Sequence, residues 1–159
     1  MNHPTDENIE RVIRVHGDRL LRMCAVMLGN ADDAEDAVQE TVIRYFQKAP
    51  QFENEEHEKA WLLRVASNRC RDMLRFRRRH PQTDIDSLYD LAAEQPACDI
   101  LDALMTLPEK FRLVMLLYYV EEYRVGEIAR IIRKTPSAVK MRLHKGRKLL
   151  GEIYRKEYL

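Results

Sequence analysis

Along most of this sequence, apolar side chains recur at intervals of three and four residues, the spacing that places them on one face of an α-helix. The clearest case lies between Ala31 and Gln47, where the apolar residues keep that spacing through Tyr45 and Phe46 until Pro50 ends the pattern. The 159 residues include only 5 glycines and 6 prolines, too few for the frequent turns of a β-rich fold. The sequence therefore predicts an all-α protein.

Breaks in the apolar pattern predict where the helices begin and end. Gly29 and Asn30 suit the C-cap of one helix and the N-cap of the next, and Pro81 ends the third helix. Pro108 suits a first helical position, and Thr135 suits an N-cap. The helices are expected at about residues 9–28, 31–47, 58–79, 99–105, 108–120, 125–132 and 136–154.

Residues 81–97 form a polar, acidic segment with few apolar side chains to bury. We therefore expect a flexible linker there, which joins a small helical domain at residues 1–80 to a second one at residues 98–159. Fully extended, these 17 residues would span roughly 55 to 60 Å.

The net charge of +1 conceals a strong alternation along the chain. Residues 1–60 carry a net charge of −6 and residues 61–80 carry +6. Residues 81–110 then carry −6, and residues 111–159 carry +7. Two separated cationic segments predict two contacts with a polyanion, and the acidic segments predict surfaces that avoid it.

Two short helices separated by about three residues, the second of them strongly basic, have the outline of a helix-turn-helix. In the second, expected at residues 136–154, one face is apolar and the other is polar and cationic. The residues placed to contact a DNA major groove are Ser137, Lys140, Met141, Arg142, His144 and Lys145. The pattern alone also fits a solvated amphipathic helix, and His144 alone fits an ordinary exposed histidine.

A second cationic face lies on the helix expected at residues 58–79. Five polar side chains share a narrow stripe, namely Arg64, Asn68, Arg71, Arg75 and Arg78. Apolar residues that include Phe76 are expected on the other side, so the stripe predicts contact with a nucleic-acid backbone. Phe52 and Trp61 lie just before the stripe, where their rings either stack on unpaired bases or pack in the core.

The helix expected at residues 31–47 has the opposite character. Its outward face carries acidic and amide side chains beside one apolar residue: Asp33, Asp36, Gln39, Glu40 and Ile43. Acidic residues in a first turn are explained by the helix dipole alone, at about 0.3 to 1 kcal/mol each. An exposed Ile43 beside the acids keeps a protein interface as the alternative explanation.

Several classes of protein are disfavoured by composition. No apolar run approaches the length of a membrane span, and the amino terminus lacks the features of a signal peptide, so we expect a cytoplasmic protein. The cysteines Cys24, Cys70 and Cys98 form no CxxC pair, and we expect them to be small buried residues. No grouping of catalytic side chains, phosphate-binding loop or set of metal ligands is evident, so we expect neither an enzyme nor a cofactor.

Two pairs of segments resemble a known family, the extracytoplasmic-function (group IV) sigma factors of bacterial RNA polymerase. Region 2 of that family resembles DDAEDAVQETVIRYFQ (Asp32 to Gln47) and AWLLRVASNRCRDMLRFRRR (Ala60 to Arg79). Region 4 is similar to LDALMTLPEKFRLVMLLYYVEEYRVGEIARII (Leu101 to Ile132) and TPSAVKMRLHKGRKLL (Thr135 to Leu150). Together the segments and their linker cover nearly the whole chain.

The resemblance implies a factor that binds core RNA polymerase and directs promoter-specific initiation. Its partners would be the polymerase, through the beta-prime clamp helices and the beta flap, promoter DNA and an anti-sigma factor. The acidic face, with Ile43 beside it, matches the clamp-binding surface. Residues 51–60 match a loop that captures a flipped base of the −10 element, and Asn68, Arg71 and Arg75 match the helix that holds the element. The basic face of residues 136–154 matches the −35 recognition helix.

This sequence departs from the family in the turn of the helix-turn-helix. The family usually carries glycine followed by an apolar residue, whereas this chain has Arg133 and Lys134. A left-handed arginine costs on the order of 1 kcal/mol, so we expect either a less regular turn or cations that contact phosphates. Ser137 and Ala138 replace a more usual Gly-Thr pair. A rival interpretation is a stand-alone helix-turn-helix regulator whose amino-terminal half dimerises.

Overall fold

The computed structural model of this chain describes residues 6–80 and 103–158. The chain divides into two compact units, Met1–Ile85 and Asp86–Leu159. Within the described residues all regular secondary structure is helical, which confirms the prediction of an all-α protein with two small helical domains. The predicted linker at residues 81–97 and Cys98 lie outside the described residues.

The first two helices of the first unit are α1 (Asp6–Leu28) and α2 (Ala31–Lys48). Between them, Gly29 has a positive φ of 78°, and its backbone N–H donates to the Ala25 carbonyl at 2.8 Å. The side chain of Asn30 accepts from the backbone N–H of Asp33 at 2.7 Å. The predicted pair of caps is therefore confirmed, and it turns the chain sharply between the two helices.

The third helix, α3, spans Glu55–Arg79 and begins one turn earlier than the sequence pattern predicts. Its N-cap is Asn54, whose side chain accepts from the backbone N–H of His57 at 2.8 Å. Of the loop expected at residues 51–60, only residues 51–54 lie outside the helices, so its predicted length is wrong. The first turn escaped prediction because it is acidic and polar, with no apolar periodicity.

The helices α1, α2 and α3 all pack against one another. Their buried apolar side chains include Val12, Leu20, Met23, Ala34, Ala37, Leu62, Leu63, Ala66 and Leu74. Cys24 and Cys70 are buried free thiols, as expected. The pKa of Cys70 is raised by its hydrogen bond with Cys24 and by burial, so Cys70 stays a protonated thiol.

Two aromatic residues are not where the apolar pattern places them. Phe46 on α2 is 45% exposed, and Phe76 on α3 is 62% exposed. The period of 3.6 residues identifies a face of a helix, but it does not show where the neighbouring helices stop covering that face. The placement of Phe76 on the buried side is therefore wrong.

In the second unit, residues 103–105 are helical, and α4 (Glu109–Met115) follows. The sequence predicts one helix from Pro108 to Val120, but α4 passes into a π-helical turn at Leu116–Val120. Pro108 is the N-cap and not the first helical residue. The backbone N–H of Glu121 donates to the Leu116 carbonyl at 3.1 Å, which is the longer hydrogen-bonded ring of a π-turn.

The helix-turn-helix consists of α5 (Val125–Ile132) and α6 (Pro136–Tyr158). Arg133 adopts the left-handed conformation, with φ 55° and ψ 50°. The backbone N–H of Lys134 donates to the Ala129 carbonyl at 2.9 Å, and the Thr135 hydroxyl accepts from the backbone N–H of Ala138 at 3.1 Å. The turn is thus a regular left-handed C-cap followed by the predicted N-cap.

The helix α6 packs against both α4 and α5. At its closest approach to α4, Gly146 leaves room for Met115, since a Cβ at Gly146 would lie 3.1 Å from the Met115 Sδ. Buried apolar side chains complete this core, including Phe111, Val114, Leu117, Ile128, Ile131, Ile132, Val139 and Leu143.

Candidate nucleic-acid interface

The helix α6 has a buried side and an exposed side. Val139, Leu143 and Gly146 are buried against the rest of the unit. The exposed residues in its first three turns include Ser137, Lys140, Met141, His144 and Lys145, while Arg142 is half-buried. Met141 is 59% exposed, so an apolar side chain lies on the surface between cationic ones. This face can therefore present both apolar and cationic contacts to a DNA groove.

On α3 the predicted stripe changes in exposure along the helix. Arg64, Asn68 and Arg71 are half-buried, whereas Arg75 and Arg78 are exposed. An Arg71 Nη donates to Asn68 Oδ1 at 3.0 Å, so these two side chains hold each other in position. Arg64 has a buried Nε without a hydrogen-bond partner in the described part of the chain. Such a donor can bind an oxygen of an incoming ligand at little further desolvation cost.

Aromatic rings lie together at the amino-terminal part of α3. The ring of Phe52 is 6.0 Å from that of Tyr45, 5.8 Å from that of Trp61 and 5.3 Å from that of His57, between centroids. Phe52 and Trp61 are half-buried, so each ring packs on its neighbours and still reaches the surface. The two alternatives given by the sequence, base stacking and core packing, are compatible in this cluster.

A buried carboxylate, hydrogen-bonded to the hydroxyl of one of these rings, was not predicted from the sequence. Glu58, 5% exposed, accepts two hydrogen bonds from Arg11, at 2.9 and 2.7 Å. The Tyr45 hydroxyl donates to Glu58 Oε2 at 2.9 Å, and His16 Nε2 lies 3.1 Å from Glu58 Oε1. We call these four residues the Glu58 cluster. It joins α1, α2 and α3, and it fixes the start of the helix that carries the cationic stripe.

The pKa values in the Glu58 cluster follow from its burial and its hydrogen bonds. Burial and the bond to Glu58 raise the pKa of Tyr45 to about 12. Burial lowers the pKa of His16, and the hydrogen bond to Glu58 only partly opposes that effect. Burial acts to raise the pKa of Glu58, but the bonds from Arg11, Tyr45 and His16 outweigh it and lower the pKa. The cluster therefore holds a carboxylate and a neutral histidine at pH 7.

The acidic face of α2 is partly used within the unit. Asp33 is paired with Arg77, and Glu40 is paired with Arg69. Burial acts to raise the pKa of Asp33, but its hydrogen bonds with Asn30 and Arg77 outweigh it and lower the pKa. Both ion pairs join α2 to α3.

The remaining residues of this predicted surface are Asp36, Gln39 and Ile43, and all three are exposed. Ile43 is 53% exposed, which leaves an apolar side chain beside the acids.

Residues 6–80 and 103–158 contain no grouping of histidine, cysteine and acidic side chains that could hold a metal ion. In the same ranges, no helix is both long and apolar enough to cross a lipid bilayer.

Comparison with protein families finds two matches, one in each unit. The model of Sigma-70 region 2 matches residues 12–80, and that of Sigma-70 region 4 matches residues 99–150. These ranges include the cationic stripe of α3 and the helix-turn-helix, with α6 as far as residue 150. The chain thus carries both regions of a sigma-70 protein, in the order region 2 and then region 4, each in an all-helical unit.

Relatives that align with nearly the whole chain include the ECF RNA polymerase sigma factor SigE of Mycolicibacterium smegmatis, 31% identical over 92% of this chain and 62% of its own length. SigW of Bacillus subtilis, also named an ECF RNA polymerase sigma factor, is 28% identical over 91% of this chain and 87% of its own length. The models of regions 2 and 4 together match most of the chain, which therefore belongs to the sigma-70 family.

Solved structures share the fold at lower identity. The sigma factor RpoE in complex with the anti-sigma factor NepR from Bartonella quintana matches with a TM-score of 0.77 and 22% identity, over 95% of this chain and 99% of that one. CnrH in complex with the cytosolic domain of CnrY matches with a TM-score of 0.72 and 21% identity, over 96% and 91% of the two chains.

Proposed function

We propose that this protein binds core RNA polymerase and directs promoter-specific initiation by reading the −35 duplex and the melted −10 strand. The observation that carries the proposal is the presence of regions 2 and 4 in one chain, each with an exposed cationic helix face. Two modules held over one duplex gain affinity, because the second contact forms at a high effective concentration. The chemistry belongs to the polymerase, and this chain catalyses no reaction itself.

Region 4, proposed at residues 98–159, would read the −35 element with α6 in the major groove. Ser137, Lys140 and Met141 lie near the amino end of the helix, where side chains reach base edges. Arg142, His144 and Lys145 extend the contact along the groove and the phosphates. The buried Val139 and Leu143 support this proposal, since they anchor the opposite side of the helix in the unit.

Region 2, proposed at residues 1–80, would hold the melted −10 strand on α3. The cationic stripe supplies backbone contacts, and Arg64 and the Asn68–Arg71 pair lie in its half-buried part. Phe52 and Trp61 offer ring edges and faces next to it, where an extruded base would be stacked. Extruding a base costs a few kcal/mol, which such a shaped site must offset.

The acidic face of α2 would bind the beta-prime clamp helices. Asp36, Gln39 and Ile43 are exposed, so they are the residues we assign to the centre of this contact. Asp33 and Glu40 would contribute while remaining paired to α3, which supports a rigid surface and not a flexible one. Region 4 would contact the beta flap.

An anti-sigma factor is a further proposed partner. Two structural neighbours are complexes, one between RpoE and an anti-sigma factor and one between CnrH and a domain of CnrY. We place this chain in group IV of the sigma-70 family, the extracytoplasmic-function sigma factors. We also place it in the cytoplasm, where the polymerase works. The domain boundaries and the linker at residues 81–97 belong to the same proposal.

Run-off transcription tests the proposed function. Core polymerase should initiate from a cognate promoter only when this protein is added. Arg75→Ala should weaken open-complex formation and spare binding to the polymerase, whereas Asp36→Lys should do the reverse in a pull-down with core enzyme. A tight, sequence-specific footprint made by the free protein, with no effect of the polymerase, would instead support the stand-alone regulator.

A further inference from the structure

Phe76 is more exposed than any other large apolar side chain in the described residues, at 62%. It lies in the last turn of α3, beyond the half-buried part of the cationic stripe. The apolar pattern places Phe76 on the side of the helix opposite the stripe, so the proposed function does not use it. A phenyl ring left in water on a helix that is proposed to bind DNA requires its own explanation.

The ring of Phe76 is held in place by His80. The two rings are stacked, with centroids 4.2 Å apart and planes 21° apart. His80 Nδ1 lies 3.1 Å from the Phe76 carbonyl oxygen, so a ring N–H donates there, and the backbone N–H of His80 donates to the same oxygen at 3.0 Å. The capping role of His80 explains these bonds. It does not explain a pair of rings with one face open to water.

The positive charge around the Phe76–His80 pair favours a nucleic acid over a protein as its binding partner. Arg75, Arg78 and Arg79 are all exposed and flank the two rings in sequence, and residues 61–80 carry a net charge of +6. A protein surface that buries an aromatic ring would have to desolvate these cations as well. A nucleic acid supplies phosphates for the guanidinium groups and a flat base for the ring at the same time.

We propose that the Phe76–His80 pair is a stacking platform for one unpaired base of promoter DNA, at the carboxyl end of α3. The proposal rests on the proposed function, and it adds a base contact separate from the Phe52–Trp61 cluster. The base would lie on the open face of the Phe76 ring, while Arg75, Arg78 and Arg79 hold the phosphates beside it.

Binding of holoenzyme to fork-junction promoter DNA tests the platform. Phe76→Ala should weaken binding roughly tenfold, which is typical for the loss of one base–aromatic stack. The measurement is repeated on a series of probes, each with one abasic site in the unpaired strand. At the contacted position the abasic probe should bind wild-type holoenzyme roughly tenfold more weakly, and Phe76→Ala should then cause no further loss.

Two more variants separate stacking from simple apolar contact. Phe76→Tyr keeps an aromatic face and should bind like wild type, whereas Phe76→Leu keeps apolar area without that face and should behave like Phe76→Ala. Ile13→Ala removes another exposed apolar side chain of the same unit and should change nothing. Equal loss by Phe76→Ala on every abasic probe, or full binding by Phe76→Leu, would overturn the platform. If wild-type holoenzyme fails to bind the promoter, the proposed function itself is wrong.

Discussion

The two units of this chain hold their helices together in different ways. In the first, the buried carboxylate of Glu58 is bound by side chains from α1 and α2, and two further ion pairs join α2 to α3. In the second, the buried residues are almost all apolar, and α6 approaches α4 closely at Gly146. A polar cluster fixes the relative position of three helices, because its hydrogen bonds form only in one geometry.

This difference matches what each unit is proposed to bind. The helix α3 must place a stripe, an aromatic cluster and the Phe76 ring along a single strand, so its position on the other helices matters throughout its length. The helix α6 needs only to project one face into a groove. Packing of its opposite face against an apolar core is sufficient for that. In the first unit a polar cluster therefore fixes the position of α3 in addition to the apolar core, whereas the second unit depends mainly on its apolar core.

The largest effect is expected from Glu58→Ala. It leaves Arg11, His16 and Tyr45 without their shared acceptor, and we expect a loss of about 4 kcal/mol from the first unit, because unpaired buried polar groups are costly. Arg11 is 34% exposed, so water recovers part of the loss. Trp61 is the only tryptophan of the chain, and its fluorescence during urea unfolding therefore reports on this unit alone.

Glu55→Ala is the matched control, since Glu55 is an exposed acidic residue in the same first turn. We expect it to cost less than about 0.5 kcal/mol. Equal effects of the two substitutions would show that the Glu58 cluster does not hold the three helices together.

A slightly smaller effect is expected in the second unit from Leu143→Ala. Leu143 is 2% exposed on the inner side of α6, and removing its side chain should cost about 3 kcal/mol through lost burial and a cavity. The unfolding transition seen by Trp61 fluorescence should not move, while the helical signal in circular dichroism should be lost earlier. A shift in the Trp61 transition would contradict the independence of the two units.

The sequence predicted the elements of both units because local signals mark them. Gly29, Asn30 and Thr135 act as caps, and the bounds of α5 agree with the apolar pattern. The exposed residues of α6 and the stripe on α3 follow from helical spacing in the same way. Local rules suffice wherever one helix and its own turns decide the outcome.

The Glu58 cluster could not be predicted in this way. Its partners are 13 to 47 residues distant in the sequence, and a glutamate in the first turn of a helix is ordinarily exposed. Arg69 also had no assignment, because its partner Glu40 lies on another helix. Phe76 was misplaced for the same reason: only tertiary packing decides which part of an apolar face is covered.

Acidification should lower the stability of the first unit more than that of the second. The pKa of His16 is lowered from its ordinary value of 6.5, so the folded unit favours the neutral ring, and its contribution is present above pH 6.5 and lost as the pH falls below it. The pKa values of Glu58 and Asp33 are lowered as well, so their contributions to folding stability are also lost on acidification, as the pH falls below 4.5 for Glu58 and below 3.8 for Asp33. The urea midpoint reported by Trp61 should therefore fall between pH 7.5 and pH 5.5, more than that of the second unit.

His16→Gln provides the control for this pH effect. Glutamine can still donate a hydrogen bond to Glu58 but does not titrate, so the fall in midpoint between pH 7.5 and pH 5.5 should shrink. An unchanged fall would assign the pH dependence to other groups.

The smallest effect is expected in the turn of the helix-turn-helix. Arg133 has a φ of 55°, a conformation that glycine adopts without strain, so Arg133→Gly should stabilise the second unit by about 0.5 to 1 kcal/mol. Arg133→Ala removes the same charge but keeps the strain, and it should give no such gain. The affinity of both variants for −35 duplex DNA then measures the effect of the charge alone. An equal loss of affinity in both variants would identify Arg133 as a phosphate contact. No loss of affinity would show that Arg133 acts only as a strained C-cap.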